Sequence, residues 1–527
     1  MEQYKILLFL CNWGPYAAFQ KLQDMGGVIP PGIKMVRIPC AGRISKALLI
    51  NAFEKGADGV ALVGCTSGSC RYGSGTATAS ENTSDMRNIL DLVGIGKERL
   101  QHATFLPDES DRMLRFLENF CDEIREIGPS PVIPAERSEA DVDFTPALKE
   151  IALSHNLFAC QDCGKCTSAC PVSIIGKPFS PRALANSISS LNVDYDSVKD
   201  NVWSCLTCGL CRDRCLASVD FPDFIRNIRS VFNDRKDRKI EAHGGFFHKL
   251  MRTMTSPDLK IKHWDWLPKT IERDQKSKVL FFGGCAPYFD IFFRKFLDVN
   301  TRDILTDALY LLNFFDVQPA LLNAERCCGH DLLWSGDKAN FIKLAKKNVE
   351  LIENMGIEEV ITACPECYTT LATDYKKYGI DLNFKVTHLY DFLGKEIGKG
   401  PVGFKKFDKN ITYQDSCRLC RFTDMGNLPG SLIDRLNPKK FTEMRFSGTA
   451  AVCCGNSAWI GCDSYTKALQ VTRLTQVQET QSDLLITSCP KCQIHFKCAM
   501  EDPFYGEKIK IDMMDLTSVI AKTIYWE

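Results

Sequence analysis

Short apolar runs alternate along this chain with stretches whose apolar residues recur on one helical face. Near the N-terminus, residues 5–10, 35–39 and 59–64 are such runs and read as strands, while residues 45–56 and 83–93 carry helical spacing. Strands alternating with helices predict βαβ units and a parallel sheet. The alternation returns later, where 278–283, 360–363, 411–414 and 484–487 read as strands that run toward cysteines. Residues 148–232 read as mainly helical apart from cysteine-bearing loops. Two segments break the pattern. Residues 128–147 are rich in Pro, Ser and charge, and residues 233–277 hold a basic run, Arg235 to Lys239, followed by Gly244 and Gly245. Both read as linkers, with the basic run a solvated face. Their aromatic pieces at 246–247 and 264–266 are expected to pack on a neighbouring domain. The expected fold class is multidomain α/β: a parallel α/β domain over 1–127, a helical domain over 148–232, and two α/β domains over 278–400 and 401–527.

Composition narrows the function classes. At about 150 residues per domain, 527 residues suggest three or four domains with real cores. Lys+Arg and Asp+Glu are both 65, so the formal charge is zero, which argues against a nucleic-acid binder. The N-terminus has no basic segment before its short apolar run and is not read as a secretory signal. No stretch of 18 apolar residues occurs, so no membrane span is predicted and a cytoplasmic location is expected. Thiols stay reduced there, so 26 cysteines point to metal sites or redox chemistry rather than a disulfide scaffold.

The strongest motif is Cys160-x2-Cys163-x2-Cys166-x3-Cys170-Pro171, repeated 45 residues later (160 to 205) as Cys205-x2-Cys208-x2-Cys211-x3-Cys215. Three thiolates two residues apart wrap one cubane, and the fourth turns away to the other cluster. Cluster one is therefore assigned Cys160, Cys163, Cys166 and Cys215, and cluster two Cys205, Cys208, Cys211 and Cys170. Leu216 stands where a proline usually follows. Two structural zinc sites are the competing reading. With Trp203-Ser204-Cys205-Leu206-Thr207-Cys208-Gly209, this segment resembles the C subunit of heterodisulfide reductase, which implies a ferredoxin-like domain with two cubane 4Fe–4S clusters.

The C-terminal part contains an internal repeat. The first copy is Cys285, Cys327-Cys328-Gly329 and Cys364-Pro365-Glu366-Cys367; the second is Cys417, Cys453-Cys454-Gly455 and Cys489-Pro490-Lys491-Cys492. The offsets are 126 (327 to 453) and 125 (364 to 489), which implies two similar domains. A lone Cys-Cys pair could be a vicinal disulfide or two core cysteines. Five thiols per copy exceed what an ordinary cubane takes and suggest an unusual cluster suited to sulfur chemistry. Residues 278–527 resemble the B subunit of heterodisulfide reductase, with its paired CCG domains. The resemblance implies a non-cubane 4Fe–4S cluster on Cys285, Cys327, Cys328, Cys364 and Cys367. It implies a second on Cys417, Cys453, Cys454, Cys489 and Cys492. Asp415-Ser416-Cys417-Arg418 fits the family's lead motif, so Cys417 is preferred to Cys420. The implied reaction is reductive cleavage of a disulfide held between the clusters. The iron–sulfur subunits of glycolate oxidase and anaerobic glycerol-3-phosphate dehydrogenase share the same module order and only relay electrons, which is the alternative reading.

In the N-terminal domain Cys11, Cys40 and Cys65 each follow a predicted strand, and Cys70 lies five residues further on (65 to 70). Strand ends of a parallel sheet share one edge, so these thiols should converge on a 2Fe–2S cluster or a zinc ion. Cys11-Asn12-Trp13, the run Arg37 to Arg43, the run Phe53 to Val60 and Gly64-Cys65-x4-Cys70-x-Tyr72 resemble the delta subunit of methyl-viologen-reducing hydrogenase. That implies one 2Fe–2S cluster and a link from a hydrogenase or formate dehydrogenase to heterodisulfide reductase. Gly14 stands where that family has a second cysteine, and Thr66 where a histidine is common.

No GxGxxG or GxxxxGK[ST] fingerprint occurs, so no flavin or nucleotide site is expected on this chain. His330 and His495, beside cluster cysteines, read either as groups around the clusters or as ordinary satisfied histidines. Cys121, Cys420, Cys462 and Cys498 are left over as small buried groups or free thiols. The family resemblance implies a role that takes electrons from a flavoprotein resembling the A subunit of heterodisulfide reductase, which bifurcates electrons in that family. A hydrogenase, a formate dehydrogenase or an NAD(P)H-linked module is the expected donor upstream.

Overall fold

The computed structural model describes residues 4–135, 144–190, 195–234, 241–455 and 457–526. The basic run Arg235 to Lys239 and residues 136–143 of the first linker lie outside the described residues. The chain divides into two compact units, residues 1–136 with 243–265 and residues 137–242 with 266–527.

The first unit is built on a parallel sheet of β1 (Ile6–Cys11), β2 (Ile33–Ile38), β3 (Gly59–Cys65) and β4 (Leu100–Phe105), in the order β2-β1-β3-β4. Helices α1 (Gly14–Asp24), α2 (Lys46–Glu54), α3 (Gly75–Leu92) and α4 (Ser110–Ile127) connect and cover it. β3 is buried along its whole length, as an inner strand covered on both faces must be. α4 buries Met113, Leu117, Phe120, Cys121 and Ile124, one stripe at helical spacing, against Leu8, Leu10, Ala61 and Val63. β4 joins the predicted strands. Its residues Gln101 to Thr104 are half-buried, which is why its sequence shows no apolar run. Within residues 233–277, Phe246–Thr253 is a buried helix packed on α2. The aromatic pair 246–247 buries almost completely in this unit.

The second unit opens with helices around the stripe Phe221, Phe224, Ile225, Ile228 and Phe232 of the helix Phe221–Asp234. No strand occurs among the described residues of 144–234. Two parallel sheets follow. The first has β5 (Val279–Phe282), β6 (Glu359–Thr362) and β7 (Lys385–His388), in that order. The second has β8 (Phe407–Tyr413), β9 (Pro438–Phe441), β10 (Leu484–Thr487) and β11 (Asp512–Asp515), ordered β11-β10-β8-β9. Ala320 bridges Leu280 in parallel and so stands where β9 stands in the second sheet. The cysteine repeat is thus a repeat of structure: β5 matches β8, β6 matches β10, β7 matches β11. Trp459 ties the halves together, its ring stacked 5.7 Å from Phe293 and edge-on 5.4 Å from Phe289.

Candidate functional site

In the first unit, Cys11 and Cys65 are the last residues of β1 and β3, and Cys40 lies two residues beyond the end of β2. Their shared sheet edge brings the thiols together. Cys11 Sγ lies 3.6 Å from Cys65 Sγ. A Cβ on Gly75 would run into Cys40 Sγ and lie 3.0 Å from Cys70 Sγ, so both thiols close on that glycine. Burial opposes ionisation of Cys70, but the N–H groups of Tyr72, Thr76 and Gly75 hold its thiol below the ordinary range. Gly14 has a structural reason: any Cβ there would sit 2.8 Å from the Phe105 carbonyl oxygen, so a cysteine does not fit without moving β4. Four thiols outside any disulfide at one edge suit a thiophilic metal group, and the missing cysteine leaves the set at four.

The two ferredoxin runs share one backbone. Asp162 and Gly164 are left-handed at φ 53° and 76°, and Thr207 and Gly209 repeat this at 46° and 83°. Cys170, Cys205, Cys208 and Cys211 line one small cavity, with Phe179 and Phe221 in its wall. These are the four residues assigned to cluster two. Of the other four, Cys160 and Cys166 are electrostatic neighbours, Cys160 and Cys215 pack on the core around Phe224, and Cys163 is exposed.

In the cysteine-rich halves, each lead cysteine and each Cys-Pro-x-Cys follows a strand end, and the Cys-Cys-Gly pairs lie in loops. Cys285 Sγ lies 2.9 Å from Cys327 Sγ, and hydrogen bonds link Cys328 to Cys367 and Cys367 to Cys364. The second set runs the same way: Cys417 to Cys453, Cys453 to Cys454, Cys454 to Cys492, Cys492 to Cys489. Cys453 and Cys492 donate to Cys454 and hold it below the ordinary thiol range, while Cys492 rises well above it. None of the ten is tied up in a disulfide. Cys420 is excluded from this gathering: its Sγ points at Asp415 Oδ1, 3.7 Å away.

The local backbone explains the motifs. Gly329 and Gly455 both have φ 87°, a left-handed turn that swings the preceding cysteine pair inward and that glycine adopts without strain. In each Cys-Pro-x-Cys the first cysteine is the extended N-cap of a helix, Pro365–Thr369 or Pro490–Met500, and proline takes the first helical position. Both thiols of the motif then sit at a helix N-terminus, where negative charge is stabilised. Side chains brace the rest. Glu325 accepts from the N–H of Gly283 and Gly284 ahead of Cys285, and Asn348 donates to the carbonyls of Arg326 and Cys327. Gln414 donates to the Val452 carbonyl in the second half and is itself held by Arg473 at 2.6 Å.

A small cavity opens on the first set and is lined by all five of its cysteines. Phe289, Ile304 and Leu305 form apolar wall, and Pro490 and Lys491 reach in from the other half. Lys491 Nζ lies 2.6 Å from Glu366 Oε2 and also pairs with Asp331. Burial opposes its charge, but Asp331 and Glu366 hold it well above the ordinary lysine range. Burial pushes the Asp331 carboxyl up to about 6 against the pull of Lys491. Burial, with Arg418, Lys491 and Arg226 nearby, keeps His330 neutral; its Nδ1 pairs with Thr370 Oγ1 at 3.0 Å. His330, Asp331 and Glu366 come close enough to surround a cation, and the Lys491 ammonium already pairs with both carboxylates. His495 is satisfied by Gln470 at 3.0 Å.

Reading by sequence missed Lys491, Glu366 and Asp331. The signal was present: Glu366 and Lys491 fill the variable position of the two Cys-Pro-x-Cys motifs with opposite charge. Of the leftover cysteines, Cys121 and Cys420 are buried, Cys498 is half-buried and Cys462 is exposed. No helix among the described residues is long and apolar enough to cross a membrane.

Comparison with known proteins follows the same division. Residues 6–128 match the family described as methyl-viologen-reducing hydrogenase, delta subunit. Residues 152–216 match a 4Fe–4S dicluster domain, and residues 279–372 and 411–497 each match a cysteine-rich domain, CCG. The chain is 27% identical over 403 residues to the D subunit of a dihydromethanophenazine:CoB–CoM heterodisulfide reductase of Methanosarcina barkeri, covering 70% of this chain and 94% of that one. It is 24% identical over 372 residues to the B subunit of a fumarate reductase (CoM/CoB) of Methanothermobacter marburgensis, covering 68% and 71%. It is 34% identical over 129 residues to the iron–sulfur D subunit of the vhc F420-non-reducing hydrogenase of Methanococcus voltae, covering 24% and 87%.

Proposed function

The chain belongs to the heterodisulfide reductase family, extended by a domain of the hydrogenase delta type, and as an iron–sulfur electron-transfer subunit of that kind we propose that it also reduces a disulfide at its cysteine-rich halves. The observation that carries this is the cavity onto which Cys285, Cys327, Cys328, Cys364 and Cys367 all open.

The donor sets fit the groups the family implies. Cys11, Cys40, Cys65 and Cys70 would hold a 2Fe–2S cluster. Cys160, Cys163, Cys166 and Cys215, and separately Cys170, Cys205, Cys208 and Cys211, would hold two cubane 4Fe–4S clusters. The two five-thiol sets would hold two non-cubane 4Fe–4S clusters. The fit rests on buried thiols packed as close as 2.9 Å, and on glycines at 75 and 284 whose Cβ would intrude among them. When bound, such clusters supply single electrons and thiophilic iron to a disulfide.

The chain's own residues shape that site. Phe289, Ile304 and Leu305 exclude water from the cavity. The Lys491 pairs with Glu366 and Asp331 clamp the second Cys-Pro-x-Cys motif to the first, so both sets keep a fixed relation to the cavity. The fingerprints of flavin binding are missing from the sequence, so the electrons would come from a separate flavoprotein resembling the A subunit of heterodisulfide reductase. The delta-like domain would receive them from a hydrogenase, a formate dehydrogenase or an NAD(P)H-linked module, and the complex would work in the cytoplasm.

The test is anaerobic turnover of the CoB–CoM heterodisulfide, the disulfide named for the Methanosarcina relative, with reduced methyl viologen as donor. Thiol release that Cys328→Ser or Cys454→Ser abolishes is expected. Full cluster reduction without thiol release would instead support a relay role.

A further inference from the structure

We propose that the thiol-bearing edge of the N-terminal domain is a docking face for a small, acidic one-electron carrier protein of the ferredoxin kind, anchored by Arg43 and Arg71. The proposal rests on the reading of Cys11, Cys40, Cys65 and Cys70 as a 2Fe–2S site and names the chemistry of the protein that meets it.

The site has one open side. Cys11, Cys40 and Cys65 are buried, and Cys70 is half-buried. The way out to solvent therefore lies at Cys70, in the loop that joins β3 to α3. The next two residues, Arg71 and Tyr72, are exposed, and Tyr72 keeps 56% of its surface in water. Electron tunnelling falls steeply with distance, so a carrier exchanges fastest where the covering layer is thinnest.

The rim around this opening is basic. The loops after β1, β2 and β3, residues 12–14, 39–45 and 66–74, hold Arg43 and Arg71 and no Asp or Glu. Arg37, near the end of β2, adds a third charge, and each of these arginines is exposed. Acids appear only in the loop after β4, as Asp108 and Glu109. Glu109 is already engaged, by Arg112 at 2.9 Å and by the Leu106 N–H at 2.7 Å.

Rings hold two of the arginines. The Arg71 guanidinium lies 4.1 Å from the centre of the Trp13 ring and that of Arg37 3.9 Å from Tyr16, with Asn12 Oδ1 accepting from Arg37 Nε. Stacking engages the face of a guanidinium and leaves N–H groups at its edge to meet carboxylates. Such a rim suits a partner that comes and goes. Permanent interfaces are large and apolar, whereas short-lived redox encounters are small. Fixed positive charge beside the opening steers an acidic carrier to it. The exchange is a single electron: the carrier is oxidised by one, the N-terminal site is reduced by one, and no bond is broken.

The experiment titrates an oxidised, acidic two-cluster ferredoxin into the anaerobic, iron-loaded full chain by calorimetry, at low and at high salt. The two-iron EPR signal of the dithionite-reduced chain is recorded in parallel. Binding that weakens about tenfold or more at high salt is expected. The double variant Arg43→Glu, Arg71→Glu, with the EPR signal retained, should bind about tenfold or more weakly at low salt, and the lysine pair at both positions should bind as wild type does. Arg43→Glu alone, which leaves the Cys70 loop untouched, should weaken binding in the same sense. No binding by a chain that shows the two-iron signal, or binding that neither salt nor charge reversal alters, would overturn the proposal alone. A chain without the two-iron signal would overturn the cluster reading with it.

Discussion

Lys491 Nζ lies 2.6 Å from Glu366 Oε2, an ion pair that joins the middle of one Cys-Pro-x-Cys motif to the middle of the other. Both residues stand at the second position of a helix, each between two cysteines of its own set. Asp331 completes the cluster from the helix that follows the first Cys-Cys-Gly. A buried charge group of this kind adds little net stability compared with apolar packing, but losing one member leaves the others uncompensated.

Lys491→Ala should therefore lower the stability of the loaded protein by about 3–5 kcal/mol, the usual cost of stranding buried charge. Replacing Lys491, Glu366 and Asp331 together by leucine should recover most of that loss. Anaerobic chemical unfolding, followed by tryptophan fluorescence, measures both. A Lys491→Ala protein as stable as wild type would show that the pair does not hold the halves together.

Gly329→Ala and Gly455→Ala should differ although they change the same residue of the same motif. Both glycines are left-handed at φ 87°, which costs any L-residue about 1–2 kcal/mol. At Gly329 the new Cβ would also lie 2.8 Å from the Phe341 ring, whereas at Gly455 the nearest atom is Thr466 Cγ2 at 3.4 Å. Gly329→Ala should be the more destabilised of the two and should lose more iron, as metal analysis and thermal unfolding will show. The reverse order would contradict the packing.

Gly75→Ala should empty the N-terminal site and spare the rest, because its Cβ would intrude on Cys40 and Cys70 alone among the thiols. The expected loss is about two irons per chain. The visible and EPR signals of the other clusters should survive. Restoring the family's cysteine as Gly14→Cys should not raise the iron content, since the Phe105 carbonyl occupies the space.

Cys417→Ser and Cys420→Ser separate two candidates only three residues apart (417 to 420). Cys417 hydrogen-bonds into its set through Cys453, and Cys420 turns to Asp415. Iron analysis should find about four irons missing in the first variant and a full complement in the second. The opposite result would move the lead ligand to Cys420.

Much of this architecture was legible in the sequence because its signals are local. The strands at 278–283 and 484–487 are apolar runs that stop at cysteines, and the cysteine repeat maps onto a repeat of sheets. Residues 59–64 and 5–10 announced the inner strands for the same reason. β4, β7, β9 and β11 escaped notice because their faces are half-exposed and carry few apolar residues. The helix Phe246–Thr253 lay unseen inside a polar segment, because only its tertiary packing on α2 explains its burial. At the site, the thiol sets were legible from spacing. The Lys491 clamp and the hydrogen bond from Arg421 to the Cys208 carbonyl were not, since each joins residues far apart: 331 with 491, and 208 with 421. Pairings across such separations depend on how domains meet, which no local pattern records.

The claim on which everything turns is that these thiols gather around iron and sulfide. Anaerobic purification of the full chain, followed by iron, sulfide and zinc determination on the same sample, tests it most directly. One two-iron and four four-iron clusters predict about 18 irons per chain with matching acid-labile sulfide, and no zinc. A folded, colourless protein that carries zinc and lacks sulfide would contradict the account.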